Sequence, residues 1–174
     1  MTISLLIAFC ITTGYTVPAE PPEVLEIREH YGEIREQMDD EHGFYRTVID
    51  INPTDVPFPA VGHYREQITF YWTLDEEYGT YKLLFVTISG EHAANTDYTE
   101  ILYDYDGEAV FTLFSFINPN GILEETRRWF SGGEEIHATC RIVSEDATEY
   151  LSPSERESNF MRDPETLMET FRMI

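Results

Sequence analysis

Lysine is nearly absent from this 174-residue chain: Lys82 is the only one among eleven basic residues, which face 33 aspartates and glutamates and leave a net charge of −22 at pH 7. A surface of that sign repels nucleic acid and anionic membranes, and so argues against both as partners. Long apolar runs are missing too. The stretch Ile3 to Ile11 is shorter than the roughly 20 residues that cross a bilayer. Cysteine is confined to Cys10 and Cys140.

Charged side chains are also absent from Met1 to Ala19, where the apolar run is followed by Val17-Pro18-Ala19 and then Glu20-Pro21-Pro22. A short apolar segment closed by small residues predicts a secretory signal peptide cleaved after Ala19, hence an exported protein, periplasmic or extracellular. Residues 20–174 then form one domain with no integral membrane segment. Cys10 leaves with the signal, so no intramolecular disulfide can form and the fold rests on packing. Cys140 belongs to the alternating row Ile136, Ala138, Cys140, Ile142 and is expected in the core. The acidity either serves solubility, as in a saline medium, or complements a cationic partner such as a basic protein, an envelope component or Ca²⁺.

Val24, Ile27, Tyr31, Ile34 and Met38 recur at helical spacing behind Pro21-Pro22 and predict an amphipathic helix to Met38. Beyond Gly43 the period becomes 2. Strands are predicted at Phe44–Ile51, Gly62–Leu74, Thr80–Ser89, Thr96–Tyr105, Glu108–Ile117, Ile122–Phe130 and Glu134–Val143, all joinable as an antiparallel meander. Asp106-Gly107 suits a two-residue type I′ hairpin turn. A polar tail follows from Ser144, with Pro-opened helix starts at Ser152-Pro153 and Asp163-Pro164, the second running to Arg172. The predicted class is α+β: an N-terminal helix, an antiparallel sheet of six or seven strands between about 44 and 143, and a short C-terminal helix. A partly open barrel or cone is the alternative form of the sheet.

Three stretches carry a resemblance: Ile27-Arg-Glu-His-Tyr31, Tyr98 to Gly107 running into Phe111, and Glu125 to Phe130 followed by a glycine turn and Glu135-Ile136. In these the chain resembles a group of uncharacterised exported proteins of Bacteroidota, though without the lysine richness common there. The resemblance implies export, an N-terminal helix and Tyr-rich antiparallel strands, and it assigns no activity.

No motif marks a catalytic set, a cofactor or a metal ion. His63 and His137 occupy strand positions opposite the apolar rows and read as solvated. Ser89-Gly90-Glu91-His92 gathers a hydroxyl, a carboxylate and an imidazole in one turn, but lacks the Gly-x-Ser-x-Gly elbow of a nucleophile. Asp104 to Glu108 is too short for a calcium loop. Glu124, Glu125, Arg127 and Arg128 read as cross-strand ion pairs. Both faces of the third strand are apolar, with Tyr71, Leu83, Tyr81 and Phe85 expected on the face away from Trp72 and Leu84. One face packs on the first helix. The other is either covered by curling of the sheet or left as a binding platform of Tyr71, Tyr81 and Phe85. Two functions follow from this reading: a non-catalytic extracytoplasmic binding or envelope-associated protein, or a small hydrolase whose acid and base come from different strands.

Overall fold

Pro21 stands extended before the first helix and Pro22 takes its first position, where a missing N–H costs nothing, so helix α1 (Pro22–Met38) opens without a side-chain cap. The computed structural model describes residues 17–40, 43–59, 62–75, 77–93, 95–144, 147–152 and 162–174. Residues 1–16 of the expected signal segment, Cys10 among them, and also His42 and Pro153 lie outside them. A second helix, α2 (Pro164–Met173), is capped by the Asp163 carboxylate, which accepts from Thr166 N at 3.0 Å and Thr166 Oγ1 at 2.9 Å. Among the described residues no helix is long and apolar enough to cross a membrane.

Between the helices run β1 (Tyr45–Ile51), β2 (Tyr64–Asp75), β3 (Thr80–His92), β4 (Asn95–Tyr103), β5 (Ala109–Ile117), β6 (Leu123–Ser131), β7 (Glu134–Val143) and β8 (Thr148–Leu151). They form one antiparallel sheet in sequence order, and β1 does not pair with β8, so the sheet stays open. The α+β meander with a helix at each end is as the sequence predicts. Among the described residues the strands number eight, one more than the seven expected. Thr148–Leu151 was expected in the polar tail but pairs with Cys140–Val143. This edge strand is four residues long and mostly exposed, so it lacks the apolar alternation that betrays its neighbours.

Two of the hairpin loops repeat one device. Asp104 N donates to Glu108 O and Gly107 N to Asp104 O, while Asp104 Oδ1 accepts from Asp106 N and Glu108 N. Asn118 does the same across Asn118 to Ile122, with Gly121 in the place of Gly107. Each is a type I turn closed by a glycine at positive φ, +87° at Gly107 and +75° at Gly121. The hairpin at Asp106-Gly107 is therefore present, but its turn is not type I′, because only the glycine, not Asp106, has positive φ. The two successive positive-φ residues that type I′ requires occur instead at Gly132 (φ +58°) and Gly133 (φ +78°), between β6 and β7.

Three bulges lie in one row across the sheet. Tyr71, Phe85, Leu102, Phe111, Trp129 and His137 are register partners in succession, and immediately beyond them Leu84, Val110 and Ile136 are each skipped by the pairing. All three skipped side chains pack into the cluster beneath α1, with Val24, Ile34, Phe85, Leu102, Phe111 and Trp129. A bulge bends its strand and increases local twist, so the sheet wraps α1 along that row. The opposite face packs on α2: Ile68, Phe70, Leu83, Val86, Ile88, Ile101 and Tyr103 surround Leu167 and Met168. Both faces of the central strands are thus covered by a helix. Cys140 is a buried free thiol, as its alternating row predicts.

Candidate functional site

A cleft of about 480 Å³ lies where α2 crosses the hairpin ends of β4 to β7. Tyr103, Ala109, Phe130 and Met168 give it an apolar floor, and Glu108, Asp163, Glu165 and Glu169 line it with carboxylates against the single cation Arg172. Tyr103 holds the helix in place, its hydroxyl donating to Pro164 O at 2.9 Å, and burial raises the pKa of that phenol. Gly107 brings the β4–β5 loop beside α2, where a Cβ would be in van der Waals contact with Met168 Cε at 3.4 Å.

On the same sheet face, Glu66, Gly90 and Asp97 are register partners on β2, β3 and β4. Glu66 is 6% exposed and Asp97 8%. Arg162, just ahead of α2, donates to Glu66 Oε1 at 2.5 Å, and Tyr64 OH donates to Glu66 Oε2 at 3.0 Å. His92 Nε2 lies 2.6 Å from Asp97 Oδ1. A Cβ at position 90 would stand 2.5 Å from Asp97 Oδ1, so glycine is what lets that carboxylate lie over the middle strand. Burial holds the Asp97 carboxyl above the usual carboxylate range, His92 opposes the shift, and the charge of Glu66 adds to it.

The α1 face carries a third buried carboxylate. Glu100 accepts from Tyr31 OH at 2.6 Å, Tyr98 OH at 2.9 Å and Arg35 at 3.0 Å. Burial and then the neighbouring carboxylate push the Tyr98 phenol up to about 12. Beside it a smaller cleft of about 190 Å³ is lined by Ile27, Arg28, Tyr31, Phe111, Leu113, Arg127 and Trp129. The Arg28 guanidinium stands 5.3 Å over the Trp129 ring while Glu20 grips it with both oxygens, at 2.8 and 2.6 Å.

The structure separates the residues expected to share a platform. Tyr71 is half-buried and Phe85 wholly buried, 6.3 Å apart ring to ring on the α1 face, where Phe85 also meets Tyr31. Tyr81 is 65% exposed and lies against Trp72, rings 5.0 Å apart, on the α2 face. The bulge at Leu84 is the cause: it shifts the parity of everything before it, so Tyr81 and Leu83 join Trp72's face and Leu84 joins Phe85's. Ser89 to His92 continue β3 and form no turn, which puts Ser89 and Glu91 opposite Gly90 and His92. His137, expected to be solvated, is 6% exposed against Trp129, rings 5.2 Å apart. His63 is exposed as expected, its Nδ1 3.0 Å from Asp55. The ion pairs expected of β6 form: Arg141 Nε donates to Glu125 at 2.8 Å across the strands, and Arg128 donates to Glu135 at 2.6 Å.

Sequence reasoning did not single out Glu66, Asp97 or Glu100. Their parity was the available signal, because Glu66 continues the row of Ile68 and Phe70, and Asp97 that of Ile101 and Tyr103. Comparison of the chain with protein-family models, with curated proteins and with solved structures finds no match, and no residue takes a role from a relative.

Proposed function

We propose that this is an exported, non-catalytic binding protein whose partner is cationic, a basic protein or an envelope component, taken up at the cleft beside α2. The observation that carries the reading is the lining of that cleft, where four carboxylates and one arginine surround an apolar floor. A cationic amphipathic chain matches both parts, with ammonium or guanidinium groups on Glu108, Glu165 and Glu169 and an apolar side chain on Phe130 and Met168. Asp163 is already engaged as the cap of α2. The net charge of −22 adds attraction at longer range. Calorimetric titration with a short Lys/Leu peptide and with lysozyme tests this at two salt concentrations. Saturable binding should weaken as screening shortens the reach of charge to about 8 Å at physiological ionic strength. It should also weaken in the Glu165→Gln/Glu169→Gln variant. Absence of any saturable isotherm sinks the reading.

A second reading, a small hydrolase, draws on the raised Asp97 carboxyl beside Glu66 and His92, which come from three different strands. Asp97 would donate the proton and Glu66 act as the partner carboxylate. Turnover of a chromogenic glycoside or ester, lost in both Glu66→Gln and Asp97→Asn, is its signature; no turnover across such a panel eliminates it.

A further inference from the structure

We infer that the cleft between α1 and β5–β6 is a second ligand site, selective for a small planar carboxylate, on the sheet face opposite the acidic cleft. Three independent features of the side chains meet there. Arg28 and Arg127 both line it, so two of the chain's eleven cations flank one small cavity. Its walls are rings and branched chains: Tyr31 and Phe111 stand edge to face at 5.3 Å, Phe111 and Trp129 are tilted at 5.3 Å, and Ile27 and Leu113 complete the lining. Finally, Arg127, which lines the cleft, has a buried Nε that donates no hydrogen bond. Glu125 Oε1 is 3.0 Å from Arg127 Nε, near enough for ion pairing but not aligned to accept, and it already takes Arg141 Nε at 2.8 Å. Arg127 is two residues from Trp129 along β6, and both line the cleft.

A buried donor without an acceptor costs free energy unless something supplies one. Arg127 Nε always carries its proton and belongs to a planar fork of N–H groups, so the group it calls for is an acceptor with two oxygens. A carboxylate meets that need, and Arg127 adds charge to the hydrogen bond. The cavity of about 190 Å³ matches the volume of about six liquid waters, which suits an acid of benzoate size. Its ring would lie against Trp129, Tyr31 and Phe111. Glu20 on Arg28 already shows how a carboxylate docks at the rim of this cleft.

Trp129 is one of two tryptophans, and Trp72 lies on the other sheet face, so fluorescence can be assigned. The full chain carrying Trp72→Phe is titrated with benzoate, acetate and benzamide. Benzoate should quench Trp129 saturably, with acetate and benzamide each weaker by about ten-fold or more, because each lacks one half of the recognition. Arg127→Gln should weaken benzoate by a similar factor, whereas Arg127→Lys, which keeps the charge without the planar fork, should weaken it less. Circular dichroism melts establish that each variant folds, and Glu125 keeps Arg141 as partner when Arg127 is replaced. Equal response to benzoate and acetate, no saturable quench by benzoate, or undiminished binding by folded Arg127→Gln overturns the inference. None of these results bears on cationic peptides at the α2 cleft, so the two sites stand or fall separately.

Discussion

Tyr31 of α1 donates a 2.6 Å hydrogen bond to Glu100 of β4, a carboxylate only 3% exposed. Arg35, one turn further along α1, reaches the other oxygen at 3.0 Å. The helix is thereby fixed in rotation and position by two polar contacts as well as by its apolar stripe. Glu100→Ala would leave Tyr31, Tyr98 and Arg35 without their acceptor. Because Arg35 is 42% exposed and can recover water, the loss should be about 2–3 kcal/mol, below that for a fully buried pair. Urea unfolding should show a lower midpoint with an unchanged slope. An unchanged midpoint would mean that α1 is held by apolar contacts alone.

Two glycines should respond to alanine with opposite signs. Gly107 holds φ +87° in the β4–β5 loop, where a Cβ costs about 1 kcal/mol, so Gly107→Ala should lower stability by that amount. Gly32 is exposed in the middle of α1 with no atom within 4 Å of an added Cβ, so Gly32→Ala should raise stability by about 0.5–1 kcal/mol. Chemical unfolding of the two variants side by side measures both, and matching signs would contradict the turn and helix assignments.

The helices and seven of the strands were legible because turn chemistry and apolar period agree there: Asp-x-Asp-Gly and Asn-Pro-Asn-Gly close loops between alternating runs. The bulges were not legible. Leu83-Leu84-Phe85-Val86 is apolar at every position, and such a run reads equally as a strand buried on both faces or as one whose parity slips midway. The acidic cleft was hidden for a different reason. Glu108 and Glu169 are brought together by a turn and a helix far apart in the chain, a proximity that no local spacing encodes.

Phe85 and Tyr81 test where the parity slips. Phe85 has no exposed surface and packs against Tyr31 and Tyr71, so Phe85→Ala should cost about 3–5 kcal/mol. Tyr81 gives up only its edge contact with Trp72, so Tyr81→Ala should cost under about 1 kcal/mol. Comparable losses in unfolding experiments would place both rings in one core and contradict the bulge.

Asp97 should make stability depend on pH in a direction opposite to that of most carboxylates. In the unfolded chain its proton leaves near pH 4, whereas burial keeps the native carboxyl protonated to a higher pH. Across that interval the native state binds more protons than the unfolded one. This group's contribution is therefore complete below about pH 4 and is lost as pH rises through the native value. The groups facing it set the balance: Glu66 raises the shift, His92 opposes it at 2.6 Å, and Arg162 and Tyr64 act through Glu66. Asp97→Asn keeps the shape and removes the proton. Thermal melts of the variant and the unaltered chain should coincide near pH 3.5 and separate by pH 7, with the variant higher. For a chain of this size about 1 kcal/mol moves Tm by about 2–4 °C, so the gap is readily measured. A variant that melts lower at pH 7 would show that attraction to His92 outweighs the cost of burying the charge.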